Sequence, residues 1–307
     1  MNILQDLYSK SGMVMRKVAE ELLFVEVGER VPKINELAEK YAVGRGTIQS
    51  VLKKMEETDC IKLESRGHLG TFLRMKNVPL LLNYGGVSNL VGVMPLPYSK
   101  KYEGLATALH EEFSQIDLPL HVAFMRGAQV RVANVLEGRY DFAVVSRFAA
   151  EEACEQNKDL LIVKEMGVST YVTQHALIFS DVKERLEDGM KVGVDSFSTD
   201  QHALTLAETE GKKVEMVQLN YMHLLENLKA NKIDAMVWNV DEIDKSRFHI
   251  TSLASEKARH MDKEMSNAVL VVHASNKKIQ YLSNLLDSEK ILKIQQEVER
   301  GERIPSY

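Results

Sequence analysis

The segments Gly28-Glu29-Arg30-Val31-Pro32, Glu36-Leu37-Ala38, Val43-Gly44-Arg45-Gly46-Thr47-Ile48 and Gly70-Thr71-Phe72-Leu73 decide the fold of the amino-terminal quarter of this chain. They predict two short amphipathic helices across a tight turn, then a β-hairpin, which is the outline of a winged helix-turn-helix. Upstream, Val14, Val18 and Leu22, with Met15 and Ala19 beside them, recur at helical spacing and predict a first helix over about 11–25. Pro32 opens the second helix, which carries Ile34, Leu37, Ala38 and Tyr41 on its buried side. Gly44 and Gly46 flank Arg45 at the turn into the third, whose core positions are Ile48, Val51, Leu52 and Met55.

Arg45, Thr47, Gln49, Ser50 and Lys53 are then left facing outward on the third helix. Residues near the start of a helix in the major groove reach base edges, and the backbone amides there favour phosphate. Ile61-Lys62-Leu63-Glu64 and Gly70-Thr71-Phe72-Leu73-Arg74 alternate as strands, with Arg66 and His68 at the tip where a wing meets the minor groove or backbone. Each feature alone fits a small helical domain with a solvated basic face. The ordered combination of three helices and a hairpin points to double-stranded DNA.

Gly28…Pro32, Glu36-Leu37-Ala38, Val43-x-Arg45-x-Thr47-Ile48, Leu52 and Gly70-Thr71-Phe72 resemble the DNA-binding domain of GntR-type regulators over about 28–74. The resemblance gives Arg45, Thr47 and Gln49 the base- and phosphate-contacting positions and puts Arg66 and His68 in the wing. The chain departs from that pattern in three places. Lys33 stands where a capping Ser is usual, so Glu36 keeps its half of a capping box alone, and Lys33 is expected to reach a phosphate instead. Gly44 replaces the usual Ser before Arg45, and Gly67 and Gly70 are one residue further apart than is usual.

The 307 residues fit two or three domains, and 45% hydrophobic with 27% charged residues is an ordinary globular composition. The overall charge of -5 hides an asymmetry, because residues 1–77 carry 13 Lys/Arg against 11 Asp/Glu while the remainder carries 26 against 33. An operator reader needs its positive charge on one face only. Met1-Asn2-Ile3-Leu4-Gln5-Asp6 lacks the basic start and apolar run of a signal peptide, and no apolar run is long enough to span a membrane. Cys60 and Cys154 fall in different predicted domains and are expected to stay reduced, which suits the cytoplasm.

Beyond a linker expected around Asn83-Tyr84-Gly85-Gly86, strands and helices alternate. Candidate strands are Leu90–Met94, Leu120–Met125, Asp141–Val145, Leu160–Lys164, Ala176–Phe179, Lys191–Val194, Val214–Gln218, Ala235–Trp238 and Ala268–Val272, the pattern of α/β units around mostly parallel sheets. Val135-Leu136-Glu137-Gly138-Arg139-Tyr140-Asp141-Phe142-Ala143-Val144 is paralleled by Leu228-Lys229-Ala230-Asn231-Lys232-Ile233-Asp234-Ala235-Met236-Val237, 93 residues on. Each copy is a helix end with Gly or Asn at the left-handed cap, then Asp, then a buried strand. Two copies imply two similar lobes, one over about 87–165 with the carboxy-terminal segment and one over about 166–264.

Two such lobes resemble the type 2 periplasmic-binding-protein fold, and the whole chain resembles the YhfZ type of regulator, a GntR-like reader fused to a binding-protein-like domain. The expected division is a reader over 1–77 and a sensor over 78–307. In that architecture ligand binds between the lobes, at strand ends and helix starts. Pro97, Tyr98, Ser99, Arg126, Ser146, Arg147, Ser196, Ser198, Thr199, Trp238 and Asn239 fall at such places. The hydroxyls, Arg126 and Arg147 suit a carboxylate or phosphate. Helix capping is the plainer role for each serine, and a surface ion pair for each arginine.

No His pair has metal-binding spacing, and neither a phosphate-cradling Gly-x-x-x-x-Gly-Lys nor a Gly-x-Ser-x-Gly elbow occurs. The expectation is a cytoplasmic, non-catalytic transcription regulator without a cofactor or membrane contact. It would bind operator DNA as a homodimer and respond to a small, anionic effector. The competing class is an enzyme or metabolite-binding protein whose helix-turn-helix serves only assembly.

Overall fold

Ser9 accepts a hydrogen bond from the Gly12 N–H (3.1 Å) and starts helix α1 (Lys10–Leu23), which buries Val14, Val18, Ala19, Leu22 and Leu23 along one stripe. This computed structural model describes residues 9–244 and 247–307, so the opening Met1–Asp6 discussed above lies outside the described residues. Helix α2 (Ile34–Lys40) begins two residues after Pro32. Glu36 accepts from the Lys33 N–H (2.9 Å), but lysine has no oxygen to return the bond, so only half of the capping box forms. Helix α3 (Arg45–Glu57) starts after Gly44 with no side-chain cap and buries Ile48, Val51, Leu52 and Met55.

Strands β1 (Ile61–Ser65) and β2 (Thr71–Lys76) pair antiparallel, with a single 3-10 turn at Gly67–Leu69 between them. The segment before α2 joins this hairpin: the Val31 N–H donates to Thr71 O (2.9 Å) and the Leu73 N–H to Glu29 O (2.9 Å). Helix α4 (Val78–Tyr84), capped by Asn77, packs on α1, and the Tyr84 hydroxyl bonds Thr58 Oγ1 (3.2 Å). Asn83 and Tyr84 therefore end a packed helix instead of forming a linker, and Gly85 and Gly86 follow it.

Contacts divide the chain into two compact units. The first runs through Leu90 and takes in Ser114–Pro119, and the second comprises Val91–Phe113 and Leu120–Tyr307.

The second unit holds two five-stranded sheets. The chain lays down β3 (Leu90–Met94), α5 (Lys100–Gln115), β4 (Leu120–Phe124), α6 (Ala128–Leu136), β5 (Phe142–Ser146), α7 (Arg147–Gln156) and β6 (Leu160–Glu165). It then crosses to β7 (His175–Phe179), β8 (Lys191–Val194), α8 (Thr199–Thr209), β9 (Glu215–Gln218), α9 (Tyr221–Lys229), β10 (Ala235–Asn239) and β11 (His249–Ser252). Helix α10 (Glu256–Met265) leads back to β12 (Ala268–His273), and α11 (Lys277–Ser283) and α12 (Ser288–Glu299) follow. The strand orders are β4-β3-β5-β12-β6 in lobe 1 and β9-β8-β10-β7-β11 in lobe 2.

The two orders are the same plan drawn twice, with β3-α5-β4-α6-β5 matching β8-α8-β9-α9-β10. The repeated aspartates have one job in both. Asp141 accepts from the Val91 N–H (2.8 Å) and Asp234 from the Lys191 N–H (2.7 Å), while each Asp N–H returns a bond to the same partner's carbonyl. Gly138 (φ 71°) and Asn231 (φ 51°) supply the left-handed residues that turn each helix end toward its aspartate.

Both sheets are mixed. β12 runs antiparallel to β5 and β6, and β7 antiparallel to β10 and β11, because each enters its sheet on a crossing from the other lobe. The mostly parallel sheets expected from the alternation of strands and helices are corrected accordingly. β11, with the sequence His249-Ile250-Thr251-Ser252, was not anticipated: a four-residue polar edge strand has no apolar alternation to betray it. The sheets are covered on both faces, by Leu204 and Met265 on one side of lobe 2 and by Leu224 and Leu228 on the other. Central strands such as Phe142-Ala143-Val144-Val145 are consequently apolar throughout.

Candidate functional site

The outer face of α3 is polar and exposed in the first unit. Arg45, Gln49 and Lys53 recur at four-residue intervals and make one exposed stripe, about 12 Å long at 1.5 Å per residue. Arg45, Gln49 and Ser50 have no side-chain hydrogen bond or ion pair to a described residue. Thr47 is half-buried, and Lys53 lies 3.8 Å from Glu57. Lys33, Gln49 and Lys53 share a groove bounded by α2, α3 and the wing residues Ser65 and Thr71, with Glu56 on its wall.

The two wing residues are placed differently. His68 is exposed in the turn, whereas Arg66 lies over the Phe72 ring (4.5 Å) and pairs with Glu64 (3.3 Å), which also holds Arg74. Arg30, which the sequence reading passed over, is exposed and lies against Gly70. Gly70 has φ 99°, and a Cβ there would strike the Arg30 guanidinium.

The second unit has a cleft between its lobes, about 650 Å³ counting the space at its open mouth. Helices or turns that follow five strand ends, those of β3, β4, β8, β9 and β10, line it, as in the expected architecture. From the sequence-derived set it gathers Tyr98, Arg126, Ser198, Thr199 and Asn239. Arg126, at the end of β4, pairs across the cleft with Asp195, at the end of β8. Asp195 is buried and also accepts from the N–H groups of Phe197 (2.9 Å) and Tyr221 (2.8 Å), so it holds the starts of both α8 and α9.

The others lie off the cleft wall. Ser146 caps α7 by accepting from the Ala149 N–H (3.1 Å) and donates across the lobes to Asp200 (2.8 Å). Ser99 accepts from the Tyr102 N–H (3.3 Å) in a helix start. Arg147 is on the surface among Glu151 (2.8 Å), Glu264 (3.2 Å) and Glu165 (3.3 Å). Ser196 is exposed, and Pro97 does not line the cleft. Trp238 is buried behind Tyr221, its ring stacked at 4.1 Å.

Sequence reading missed the cleft's buried chemistry. Arg131, 2% exposed, spends its guanidinium on Val144 O (3.1 Å), Met125 O (2.8 Å) and the Tyr171 hydroxyl (2.8 Å). The signal for it was an arginine on the apolar stripe of α6, four residues before Val135. His175 binds Asp262 through Nδ1 (2.7 Å). Burial lowers the affinity of this imidazole for a proton, but the Asp262 bond and the charges of Asp262, Asp200 and Glu242 outweigh it and raise its pKa.

Glu242 accepts from the Tyr221 hydroxyl (3.1 Å) and Asn239 Nδ2 (3.2 Å). Burial pushes its pKa up to about 7 against those two bonds. Asp200 is pushed up to about 6, again by burial, with the His175 charge and the Ser146 hydroxyl opposing. Thr199, 8% exposed, lines the cleft with an Oγ1 that has no hydrogen-bond partner.

Fold and site together define a helix-turn-helix unit joined to a two-lobed domain of the binding-protein kind. Residues 26–73 match the model of a helix-turn-helix domain, and residues 77–307 match that of the YhfZ C-terminal domain. The YhfZ protein of Escherichia coli strain K12 is 36% identical over 302 residues, 97% of this chain and 98% of that one. The chain belongs to the YhfZ family.

The crystal structure of YhfZ from Shigella flexneri is similar with a TM-score of 0.63 and 36% identity, over 75% of this chain and 97% of that one. The substrate-binding protein of a methionine transporter from Streptococcus pneumoniae shares the fold with a TM-score of 0.52 at 12% identity, over 72% of this chain and 96% of that one. No helix among the described residues is long and apolar enough to cross a membrane.

Proposed function

We propose that this protein is a cytoplasmic, non-catalytic transcription regulator that binds operator DNA as a homodimer and senses a small molecule with an acidic group in the cleft of its second unit. The observation that carries the sensing role is the start of α8. Thr199 offers a buried hydroxyl without a partner among the described residues, Ser198 makes no capping bond, and Arg126 faces them from the other lobe. A helix start with free amides and a guanidinium is a good receiver of a carboxylate or phosphate.

Arg126 bridges the cleft to Asp195, and behind its wall Ser146 ties lobe 1 to Asp200 of lobe 2. An acidic group seated beside Arg126 competes with Asp195 for the guanidinium. It therefore has different affinities for the bridged and unbridged arrangements of the lobes, which is the condition for a ligand to shift an equilibrium. The reader supplies the output. One module makes few base contacts, so a dimer on two half-sites is the form that reaches operator affinity.

The test is fluorescence anisotropy on DNA from upstream of the gene, at stated salt, with and without a small-molecule extract of the producing cells. The wild type is expected to bind and to change affinity when extract is added, and Arg126→Ala to bind DNA without that change. An identical response in Arg126→Ala would remove the anion subsite, and no DNA binding by the wild type would remove the regulator.

A further inference from the structure

Lobe 2 turns two carboxylates toward the cleft, and neither has a cation of its own. Asp200 and Glu242 both line the cavity, and neither makes an ion pair with a described residue. The cations nearby are committed elsewhere: Arg126 to Asp195, all of the Arg131 guanidinium to two carbonyls and Tyr171, and His175 to Asp262. Including the partners behind the wall, this set has three basic groups (Arg126, Arg131, His175) against four acidic ones (Asp195, Asp200, Glu242, Asp262). A purely anionic ligand would enter an acidic surplus.

Four tyrosines line the same cavity: Tyr98, Tyr102, Tyr171 and Tyr221. Tyr102 and Tyr171 meet edge to face at 5.4 Å, so the pair is locked. Tyr221 is backed by Trp238 on one face, which leaves its other face for the cavity, and its hydroxyl holds Glu242. Aromatic faces around a carboxylate favour an organic cation through the ring quadrupoles, an attraction that strengthens when water is excluded. The unpartnered Thr199 Oγ1 is a further polar group aimed at an occupant.

We infer that the effector carries a positively charged nitrogen, a protonated or alkylated amine, received among the cleft tyrosines and facing Glu242 and Asp200. This rests on the reading of the cleft as an effector site. Together with the acid subsite at Arg126 it makes the effector class zwitterionic. Burial raises the proton affinity of both carboxylates, and a cationic nitrogen beside them stabilises their charged form.

Trp238, the only tryptophan in the chain, reports directly on the Tyr221 wall. The experiment titrates the intact protein at pH 8 and constant ionic strength with trimethylglycine and with 3,3-dimethylbutyrate, the same shape with carbon in place of the charged nitrogen. Trimethylglycine is expected to change Trp238 emission saturably, with the carbon isostere at least about tenfold weaker. Glu242→Gln should weaken trimethylglycine about tenfold while leaving the isostere unchanged. Tyr98→Leu, at the exposed rim, gives a second variant that spares the buried network.

Equal binding of the two probes, or a Glu242→Gln variant that binds trimethylglycine as well as wild type does, overturns the inference. So does the absence of any saturable change with trimethylglycine. The extract response of DNA binding and its loss in Arg126→Ala are scored separately, so the sensing role can stand where the cationic subsite falls.

Discussion

The two lobes are built from one plan and equipped for opposite tasks. In each, an aspartate after a left-handed helix cap clamps the first strand of the unit, through Asp141 in lobe 1 and Asp234 in lobe 2. At the cleft the likeness ends. Lobe 1 brings the guanidinium groups of Arg126 and Arg131, and lobe 2 brings the carboxylates of Asp195, Asp200 and Glu242. The main-chain scaffold is common to the two lobes, while the side chains at their strand ends differ. The basic wall meets the acidic one in the Arg126–Asp195 pair, which bridges the cleft.

The sharpest way to break the comparison is to remove the buried base of lobe 1. Arg131→Met leaves three acceptors in the interior without their donor. It is expected to destabilise the second unit by about 3 kcal/mol or more, read as a fall in thermal midpoint of roughly 6–12 °C. A fall of only a degree or two would mean that the Arg131 network is not fixed.

The scaffold itself is probed by matched glycines. A Cβ at Gly92 would run into the rigid ring of Phe142, whereas at Gly193 it would meet the terminal methyl groups of Leu224 and Ile233, which a rotamer change can move aside. Gly92→Ala should therefore cost about 1–3 kcal/mol and Gly193→Ala less, by denaturant titration of the two variants. The reverse order would show that the lobe cores are not packed as described.

The smallest effect separates the acid wall by pH. Folding raises the pKa of Glu242 from 4.5 to about 7 and of Asp200 from 3.8 to about 6, so the folded state binds more protons than the unfolded one between about pH 4 and 7. Their contribution to stability therefore declines as pH rises through that window. His175, whose pKa is also raised, acts with the same sign. Glu242→Gln is accordingly expected to raise the thermal midpoint relative to wild type at pH 8 and to leave it nearly unchanged at pH 5. A difference of equal size at both pH values would refute the assignment.

How much of this was legible in sequence follows the same division. The strands Leu90–Met94 and Lys191–Val194 have the residue limits their apolar patterns suggest, and the Gly138/Asn231 repeat announced two lobes, because both signals lie within short continuous segments. The cleft was read half-way. Arg126, Ser198 and Thr199 stand at strand ends and helix starts where a rule could find them. Tyr102 on α5, Tyr171 in the crossing segment and His175 at the start of β7 come together only through the fold, and no local pattern marks them. Arg147 sits at an equally suggestive strand end, yet three glutamates surround it on the surface. In the reader, the apolar face of α3 was plain from its spacing, whereas the pairing of Glu64 with Arg66 and, across the wing, with Arg74 was not.

The claim on which the rest depends is that α3 reads DNA and the cleft governs it. The direct measurement is fluorescence anisotropy of wild type and Arg45→Ala on the same upstream DNA at one stated salt concentration, with thermal midpoints recorded for both. Arg45 is exposed and without a partner among the described residues, so the variant should fold normally and bind about 10-fold or more weakly. Equal affinity of the two proteins would contradict the assignment of α3 as the reading helix.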